Sequence, residues 1–596
     1  MDDDICEFIL GDCEFFPEGG LEGGRPRPVC FVVEEYYSGK VHRLWWDELQ
    51  SLTSLPFDVG PRTAFVAYFA SAEGGCLKAL GLPLPINTID LFAEIRCRTN
   101  GGPKSDRRSL REVMLDNNLP FMSEQHKNEM RQLILTGDMT NIEHNKQQIL
   151  DYCEEDTNAC RELLRRHLNH LDMPRALLRG RFMMAAAEVE MVSIPVDMVW
   201  WRRFLVARKP LLTKLIKEWD APYQVYGEAQ KWNHARFGAL LKRLRIIDWV
   251  KTESGRYCLE KDYFKDQCRL YPALEGLRQL KKTIRLLQEP KLAIGPDGRN
   301  RTPVAGFGAS SGRNAPKAAK FVPLQARCLR GMIRPTEGMA LAYIDWEAQE
   351  IVIAAALSHD PNMMLAYQSV DPYLYFAKAV CLVPVNATKH SHGTMREVCK
   401  TLMLGINYGM SERGLARRLK GIPEIGKLAG SIPGADELMR LHKSFFSTYW
   451  NWSQRIIDRA DLRGYIRTMF GWRLLISDKT TERTLMNFPM QANGGEMMRI
   501  ACIALVEKGI RVCGILHDAF LIETPLAVIG AVTALAEGIM QEAGYQLLEM
   551  PVRTETKIIP YPQSYFWDVD RKGQGGDCRA ARMWDDINRL MEEIDA

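Results

Sequence analysis

Fifteen cysteines are spread through the 596 residues without a single C-x-x-C pair. That spacing excludes a zinc ribbon and a disulfide framework, and an odd number of thiols fits a reducing cytosol. No uninterrupted apolar run approaches 18 residues, which argues against a membrane span. The first residues, Met1-Asp2-Asp3-Asp4, lack the basic segment that opens a signal peptide. There is no internal repeat, no low-complexity tract and little excess of one charge, the formal net charge being +4. With 46% hydrophobic and 26% charged residues, the composition is that of a globular chain rather than a disordered or collagenous one. At about 150 residues per domain the length suggests roughly four units.

The distribution of charge says more than its sum. Residues 201–251 carry 12 Lys/Arg against 4 Asp/Glu, and residues 278–334 carry 13 against 2. The remainder is net acidic. Two basic stretches on an acidic chain point to a polyanion-binding surface. A solvated helix face rich in Lys and Arg would give the first stretch the same composition. The second is also rich in Gly, Ser and Asn, which suits contact with phosphates.

Along the chain, residues 1–100 read as α/β, with short apolar runs at Phe8–Leu10, Val29–Val33 and Thr63–Phe69 between Gly/Pro loops. Residues 106–170 and 175–290 read as helical, and 290–323 as an ordered loop or linker. Residues 339–358 read as strand then helix, 392–470 as helices with a loop at 421–434, and 510–524 as two strands around a polar turn.

Two apolar strands end in carboxylates: Leu341-Ala342-Tyr343-Ile344-Asp345, and Val512–Leu516 followed by His517-Asp518. A polar pair at the turn of an apolar hairpin is costly unless exposed or liganded. Converging carboxylates of this kind suit hard cations such as Mg²⁺. Between them, Arg396, Lys400, Leu404 and Tyr408 recur every four residues and share one helix face, ending at Gly409. Arg and Lys there suit a triphosphate, and the ring a sugar or base. Near the N-terminus, Asp12-x-Glu14 ends a strand with both carboxylates on one face, Glu73 follows a second apolar strand, and Tyr152-x3-Asp156 spans one helical turn. Four carboxylates and a tyrosine suit two metals and a water directed at a phosphodiester. Asp90 is a reserve ligand.

The C-terminal segments resemble motifs A, B and C of family A DNA polymerases, the DNA polymerase I type: Asp345 with Glu350, Arg396-x3-Lys400-x7-Tyr408-Gly409, and His517-Asp518. Arg483-x3-Asn487-x3-Gln491 resembles that family's helix against template and primer, and Gly464-Tyr465-Ile466-x-Thr468 precedes it. Ser310-Ser311-Gly312-Arg313-Asn314 resembles its Gly-Arg segment near the template. The N-terminal set is similar to the DEDD-type 3′–5′ exonuclease, Tyr subtype, that precedes the polymerase in the family.

The resemblance implies a multidomain α/β and α+β chain. An RNase H-like exonuclease (1–170) would be followed by a right-hand polymerase. Its parts would be the start of palm and thumb (171–335), the palm with motif A (336–380), the fingers (381–455), and the palm with motif C and a C-terminal helix (456–596). It implies catalytic Mg²⁺, two ions at each site with Mn²⁺ as a substitute, held by Asp345 and Asp518 and by Asp12, Glu14, Glu73 and Asp156. Tyr152 would orient the hydrolytic water. Arg396 and Lys400 would bind the incoming nucleotide's phosphates, Lys400 with a catalytic role. Glu350 and Tyr408 would gate against a ribose 2′-hydroxyl. Arg313, Asn314, Arg483, Asn487, Gln491 and His517 would contact DNA. The stripe 201–251 would track duplex backbone, and segment 552–575 with the Met583-Trp584 helix would close the palm.

The expected protein is a primer-extending, proofreading DNA polymerase. Its partners would be primer–template DNA, dNTPs and possible processivity or replisome proteins. It would be monomeric, off the membrane, without a 5′-nuclease, and at work for a bacteriophage in a bacterial cytoplasm. Four positions depart from the family pattern: Ala519 where motif C has Glu, Leu404 where motif B has an aromatic, and Phe69 and Glu73 where the exonuclease has Asn and Asp. The alternatives are a chain that is mainly a 3′–5′ exonuclease with a polymerase-like DNA-binding body, a non-catalytic DNA-binding module, and a polymerase specialised for 2-aminoadenine.

Overall fold

The N-terminal apolar runs pair into a mixed sheet. In a computed structural model, which describes residues 5–595 except 107, 228–230, 326, 420–431 and 571–575, β1 (Glu7–Pro17), β2 (Pro26–Glu35), β3 (Val41–Trp45), β4 (Thr63–Ala67) and β5 (Thr88–Asp90) lie in the order β3-β2-β1-β4-β5. The β3-β2-β1 half is antiparallel and β1-β4-β5 is parallel. Parallel neighbours need crossovers: β4 reaches β5 through a helix, and β1 reaches β4 by way of β2, β3 and a short helix. Helices α1 (Ser71–Ala79), α2 (Leu91–Thr99), α3 (Glu124–Leu135) and α4 (Lys146–His167) cover the sheet. On α4, Ile149, Leu150, Cys153, Cys160, Leu163 and Leu164 recur at helical spacing and are buried.

The next helix joins this unit to the rest of the chain. α5 (Met173–Val192) packs closely on β5, and a Cβ at Gly180 would stand 1.8 Å from the Thr88 carbonyl oxygen. From α5, Arg179 holds Glu94 of α2 bidentately at 2.5 and 2.8 Å, with both side chains buried. Removing one partner of such a pair costs about 3–5 kcal/mol. Asn100 ties the N-terminal unit to distant chain by donating to the carbonyls of Ser310 and Arg473, each at 2.6 Å.

α6 (Met198–Trp219) carries much of the first basic stretch. Beyond the Gly/Pro-rich segment, β6 (Met339–Trp346) leads into α7 (Gln349–Ser358), α8 (Gly393–Asn407) and α9 (Glu482–Glu507). The chain then forms β7 (Val512–Leu516), β8 (Ala519–Pro525), α10 (Ile529–Leu548), β9 (Thr554–Pro560) and α11 (Gly576–Asp595). The second sheet is antiparallel in the order β7-β8-β6-β9. The expected loop at 421–434 falls mostly outside the described residues. Segment 510–524 is the expected hairpin. All fifteen cysteines are free.

The structure adds detail to three expectations. Although apolar runs are short, the helix Leu526–Leu548 is long and apolar enough, by length and composition, to cross a membrane. It buries Thr533, Ala536, Met540, Ala543 and Leu547, and the Met540 carbonyl accepts from Trp346 Nε1 at 3.0 Å, as a layer over the second sheet does. The C-terminal segment divides: β9 adds to the edge of the sheet beside β6, but α11 packs on α6. There Trp584 meets Trp200 with ring centroids 4.4 Å apart, and Glu593 and Asn588 pair with Lys214 and Trp200. Finally, many charges of the two basic stretches are used internally. Arg203 pairs with Asp595 and Arg334 with Asp197, Arg299 forms a buried pair with Glu523 at 2.7 Å, and Arg301 binds Asp297 at 2.8 Å. Charge counts therefore overstate the positive surface open to a polyanion.

Candidate active sites

The ends of β6 and β8 set the C-terminal site. In register, Asp345 faces Ala519 on one side and Glu555 of β9 on the other, and Trp346 N–H donates to the Asp518 carbonyl at 3.3 Å. His517 takes φ +55° at the hairpin tip and is exposed, leaving Asp518 at the mouth. Burial, then Asp518, then Glu555, push the Asp345 carboxyl up to about 8, and burial also raises Asp518. Asp345 Oδ1 is buried without a hydrogen-bond partner among the described residues. An orphaned hard oxygen beside a second carboxylate fits a divalent cation, which would reverse those shifts. Ala519 is wholly buried in the strand. Glu555, which sequence reasoning missed, is the carboxylate that borders Asp345 instead. Nothing in the pattern Thr554-Glu555-Thr556 signals that role, because it follows from register alone.

Arg396 and Lys400 project from α8, and Tyr408 ends it. Arg396 is held by Asp371 and by Glu397 at 3.0 Å, and its guanidinium stands 5.3 Å from the Tyr373 ring centre. Lys400 has no ion pair among the described residues and lies 6.0 Å from the same ring. Tyr408 O–H donates to Glu350, while Gln491 Nε2 donates to both, at 2.8 Å to Tyr408 and 3.1 Å to Glu350. Gly409 takes φ +62°, and a Cβ there would stand 2.7 Å from Arg483 Cα, so both backbone conformation and packing require glycine. Arg483 Nε donates to the Tyr408 carbonyl at 3.0 Å. Leu404 is half-buried on the same helix.

The Ser310–Asn314 loop is braced from within. Arg313 donates to the Gln491 carbonyl at 2.8 Å and to Gln349 at 3.2 Å, and burial lowers its basicity. Trp472 Nε1 donates to the Ser310 carbonyl and Arg499 to that of Gly312, at 3.0 and 2.7 Å. Arg313 is thus engaged by α7 and α9, whereas Asn314 and Asn487 are half-buried beside them. Gln349, Trp472 and Arg499 were not evident in the sequence, since Trp472 and Arg499 reach the loop through backbone carbonyls and Gln349 only through the Arg313 side chain.

In the N-terminal unit, one ligand atom each from Asp12, Glu14 and Asp156 lie within 4.8 Å of one another. β1 presents the first two and α4 the third. Burial, then Asp156, pushes Asp12 up to about 7, and burial raises Glu14 and Asp156. Tyr152 lies one turn before Asp156, its hydroxyl also shifted upward by burial. Glu73, at the start of α1, is buried with Oε2 unpartnered, but it is not part of the close trio. Phe69 takes φ +74° and packs on Phe92 at 5.3 Å, so its place serves the core. Asp90 is excluded as the reserve ligand: its oxygens accept from Ala70 N–H at 2.8 Å and Ala93 N–H at 2.9 Å, capping α2. Lys127 of α3, missed in the sequence because one lysine in a charge-rich helix carries no signal, contacts both Asp156 oxygens at 2.9 and 3.2 Å.

Comparison with known proteins gives the context. The chain is 24% identical over 409 residues to DNA polymerase I of Chloroflexus aurantiacus, which covers 63% of this chain and 41% of that one. It is 25% identical over 578 residues to a thermostable DNA polymerase I of Thermus thermophilus, covering 91% and 63%. The chain thus spans about two-fifths of the length of the Chloroflexus relative. In fold it resembles the POL domain of Pol1 from M. smegmatis, solved in complex with DNA primer-template and dNTP, with a TM-score of 0.68, 19% identity, and 93% and 94% of the two chains covered. The sequence profile of DNA polymerase family A matches residues 248–560, more than half the chain. The chain belongs to DNA polymerase family A.

Proposed function

We propose that the protein is a template-directed DNA polymerase that extends a primer 3′-hydroxyl with dNTPs, and that its N-terminal unit is a 3′–5′ proofreading exonuclease. The observation that carries the first half is the meeting of Asp345 and Asp518 at adjoining strand ends, with Glu350 of α7 hydrogen-bonded to Tyr408 at the end of the helix that bears Arg396 and Lys400. Asp345 and Asp518 would hold Mg²⁺. When bound, such ions activate the 3′-hydroxyl and neutralise charge on the departing pyrophosphate. Arg396 exchanges Asp371 for the β- and γ-phosphates, and Lys400 adds a point charge and a proton for the leaving group. Glu350 and Gln491 hold the Tyr408 ring in place, and Glu350 with Tyr408 would gate against a ribose 2′-hydroxyl.

The compact trio Asp12, Glu14 and Asp156 supports the second half, with Tyr152 positioned to orient water. Glu73 acts from outside the trio. The lineage we propose is that of a bacteriophage replicative enzyme acting in a bacterial cytoplasm, with primer–template DNA and dNTPs as its partners.

The test is a 5′-labelled primer on a longer template with Mg²⁺. Extension with dNTPs and 3′ shortening without them are expected. Shortening with no extension under any dNTP condition would overturn the polymerase reading in favour of a nuclease.

A further inference from the structure

Asn100 caps the end of α2, where its N–H donates to the Arg96 carbonyl at 2.9 Å, and it is 1% exposed. It makes three bonds to the C-terminal part of the chain. Its side-chain amide donates to the Ser310 and Arg473 carbonyls, each at 2.6 Å, and its own carbonyl accepts from Leu475 N–H at 2.8 Å. Two carbonyls facing one amide fix which end is nitrogen. Oδ1 is then buried with no hydrogen-bond partner among the described residues. The approach is close: Gly101 takes φ +82°, and a Cβ there would stand 2.4 Å from the Leu475 carbonyl oxygen.

Arg473 and Leu475 belong to a hairpin in which Tyr465–Arg467 pairs with Arg473–Leu475. Trp472, just before the second strand, donates from Nε1 to the Ser310 carbonyl at 3.0 Å. One carbonyl thus accepts from both the N-terminal and the C-terminal unit. The Trp472 ring stacks on Phe307 at 5.2 Å and lies against Gly312, whose φ is +74° and where a Cβ would stand 3.0 Å from the ring. Next in the loop, Arg313 donates to the Gln491 carbonyl, and the Gln491 amide donates to Tyr408 and Glu350. A bonded series therefore runs from the N-terminal unit, through the Ser310–Asn314 loop, to the candidate nucleotide site. The N-terminal unit has a second contact away from this loop, Arg25 standing 3.5 Å from Asp297.

Resting on the polymerase reading above, we propose that Asn100 is a positioning residue for the C-terminal site: it holds the Ser310–Asn314 loop in the shape that grips primer–template, so that this grip depends on the docked N-terminal unit. Two donors on one planar amide fix the spacing of the Ser310 and Arg473 carbonyls, and with it the loop against the hairpin. Aspartate has the same shape, but its carboxylate only accepts and sets a negative charge against both carbonyls. Alanine removes the N-terminal donor from both. Asn100 itself touches neither nucleotide nor DNA; it acts through the loop and Arg313.

The experiment measures KM for primer–template and kcat in primer extension by the full chain with Mg²⁺, beside 3′ hydrolysis of a single-stranded oligonucleotide. Asn100→Ala and Asn100→Asp are expected to raise KM about fivefold or more, the effect of one lost hydrogen bond on a binding equilibrium, with kcat and 3′ hydrolysis unchanged. Trp472→Phe keeps the ring on Phe307 and removes the other donor to Ser310. It is expected to raise KM likewise, and it decides the matter if neither Asn100 variant folds. Added to Arg313→Ala, Asn100→Ala is expected to raise KM no further. Arg25→Ala, which loosens the same unit away from the loop, is expected to keep the wild-type KM. An unchanged KM in the Asn100 variants or in Trp472→Phe, a full further rise on top of Arg313→Ala, or an equal rise in Arg25→Ala overturns the proposal. In each of these cases extension by the wild type leaves the polymerase reading standing. No extension by the wild type overturns both.

Discussion

At the scale of single residues, the protein keeps several groups in states that only burial explains. His442 is wholly buried; Trp450 Nε1 donates to its Nδ1 at 3.1 Å, and burial pushes its pKa down to about 3. An unfolded histidine titrates near 6.5. Between those values the unfolded chain takes a proton that the folded chain refuses, so stability falls as pH falls below 6.5. At pH 5 the loss is about 2 kcal/mol. Urea midpoints measured at pH 7 and 5 are expected to show a smaller drop in His442→Phe than in the wild type, and equal drops would refute the assignment. Gly409→Ala meets both a left-handed backbone and the Arg483 backbone. Strain of this kind costs about 1–3 kcal/mol, readable as a lowered urea midpoint. Glu350→Ala removes the carboxylate that anchors Tyr408. Incorporation of rNTP relative to dNTP is expected to rise about 10- to 200-fold, the range of a 1–3 kcal/mol change in discrimination, and an unchanged ratio would show that Glu350 is not a gate.

At the scale of elements, the readings that succeeded rest on short-range patterns. Apolar runs stopped by a carboxylate, at Asp345 and at His517-Asp518, are strands in the structure because alternation and abrupt polarity are local signals. The four-residue spacing from Arg396 to Tyr408 lies on one helix and its cap for the same reason. What sequence hid is long-range. Glu555 reaches Asp345 only through strand register. Asp90 looked like a ligand because its capping contacts to Ala70 and Ala93 are invisible in a one-dimensional pattern. Basic stretches looked free because Asp595, Glu593 and Glu523 lie far away in the chain from the residues they neutralise. α11 shows what this arrangement stabilises: Trp584, Ile587, Leu590 and Met591 are buried in the core that α6 shares. Trp584→Ala is expected to cost about 3–5 kcal/mol, measured by chemical denaturation. A change below 1 kcal/mol would mean that α11 is a loose appendage.

At the scale of the whole molecule, two carboxylate centres stand on two sheets joined by α5 and by the Asn100 contacts. Their chemistry is predicted to separate cleanly, because no residue is shared between Asp12/Glu14/Asp156 and Asp345/Asp518. The most direct measurement runs a labelled primer–template with Mg²⁺ through three enzymes: wild type, Asp518→Ala and Asp12→Ala. The account predicts that Asp518→Ala shortens the primer but cannot extend it, and that Asp12→Ala extends it but cannot shorten it. Extension that survives in Asp518→Ala would contradict the assignment of the polymerase centre on which the account rests.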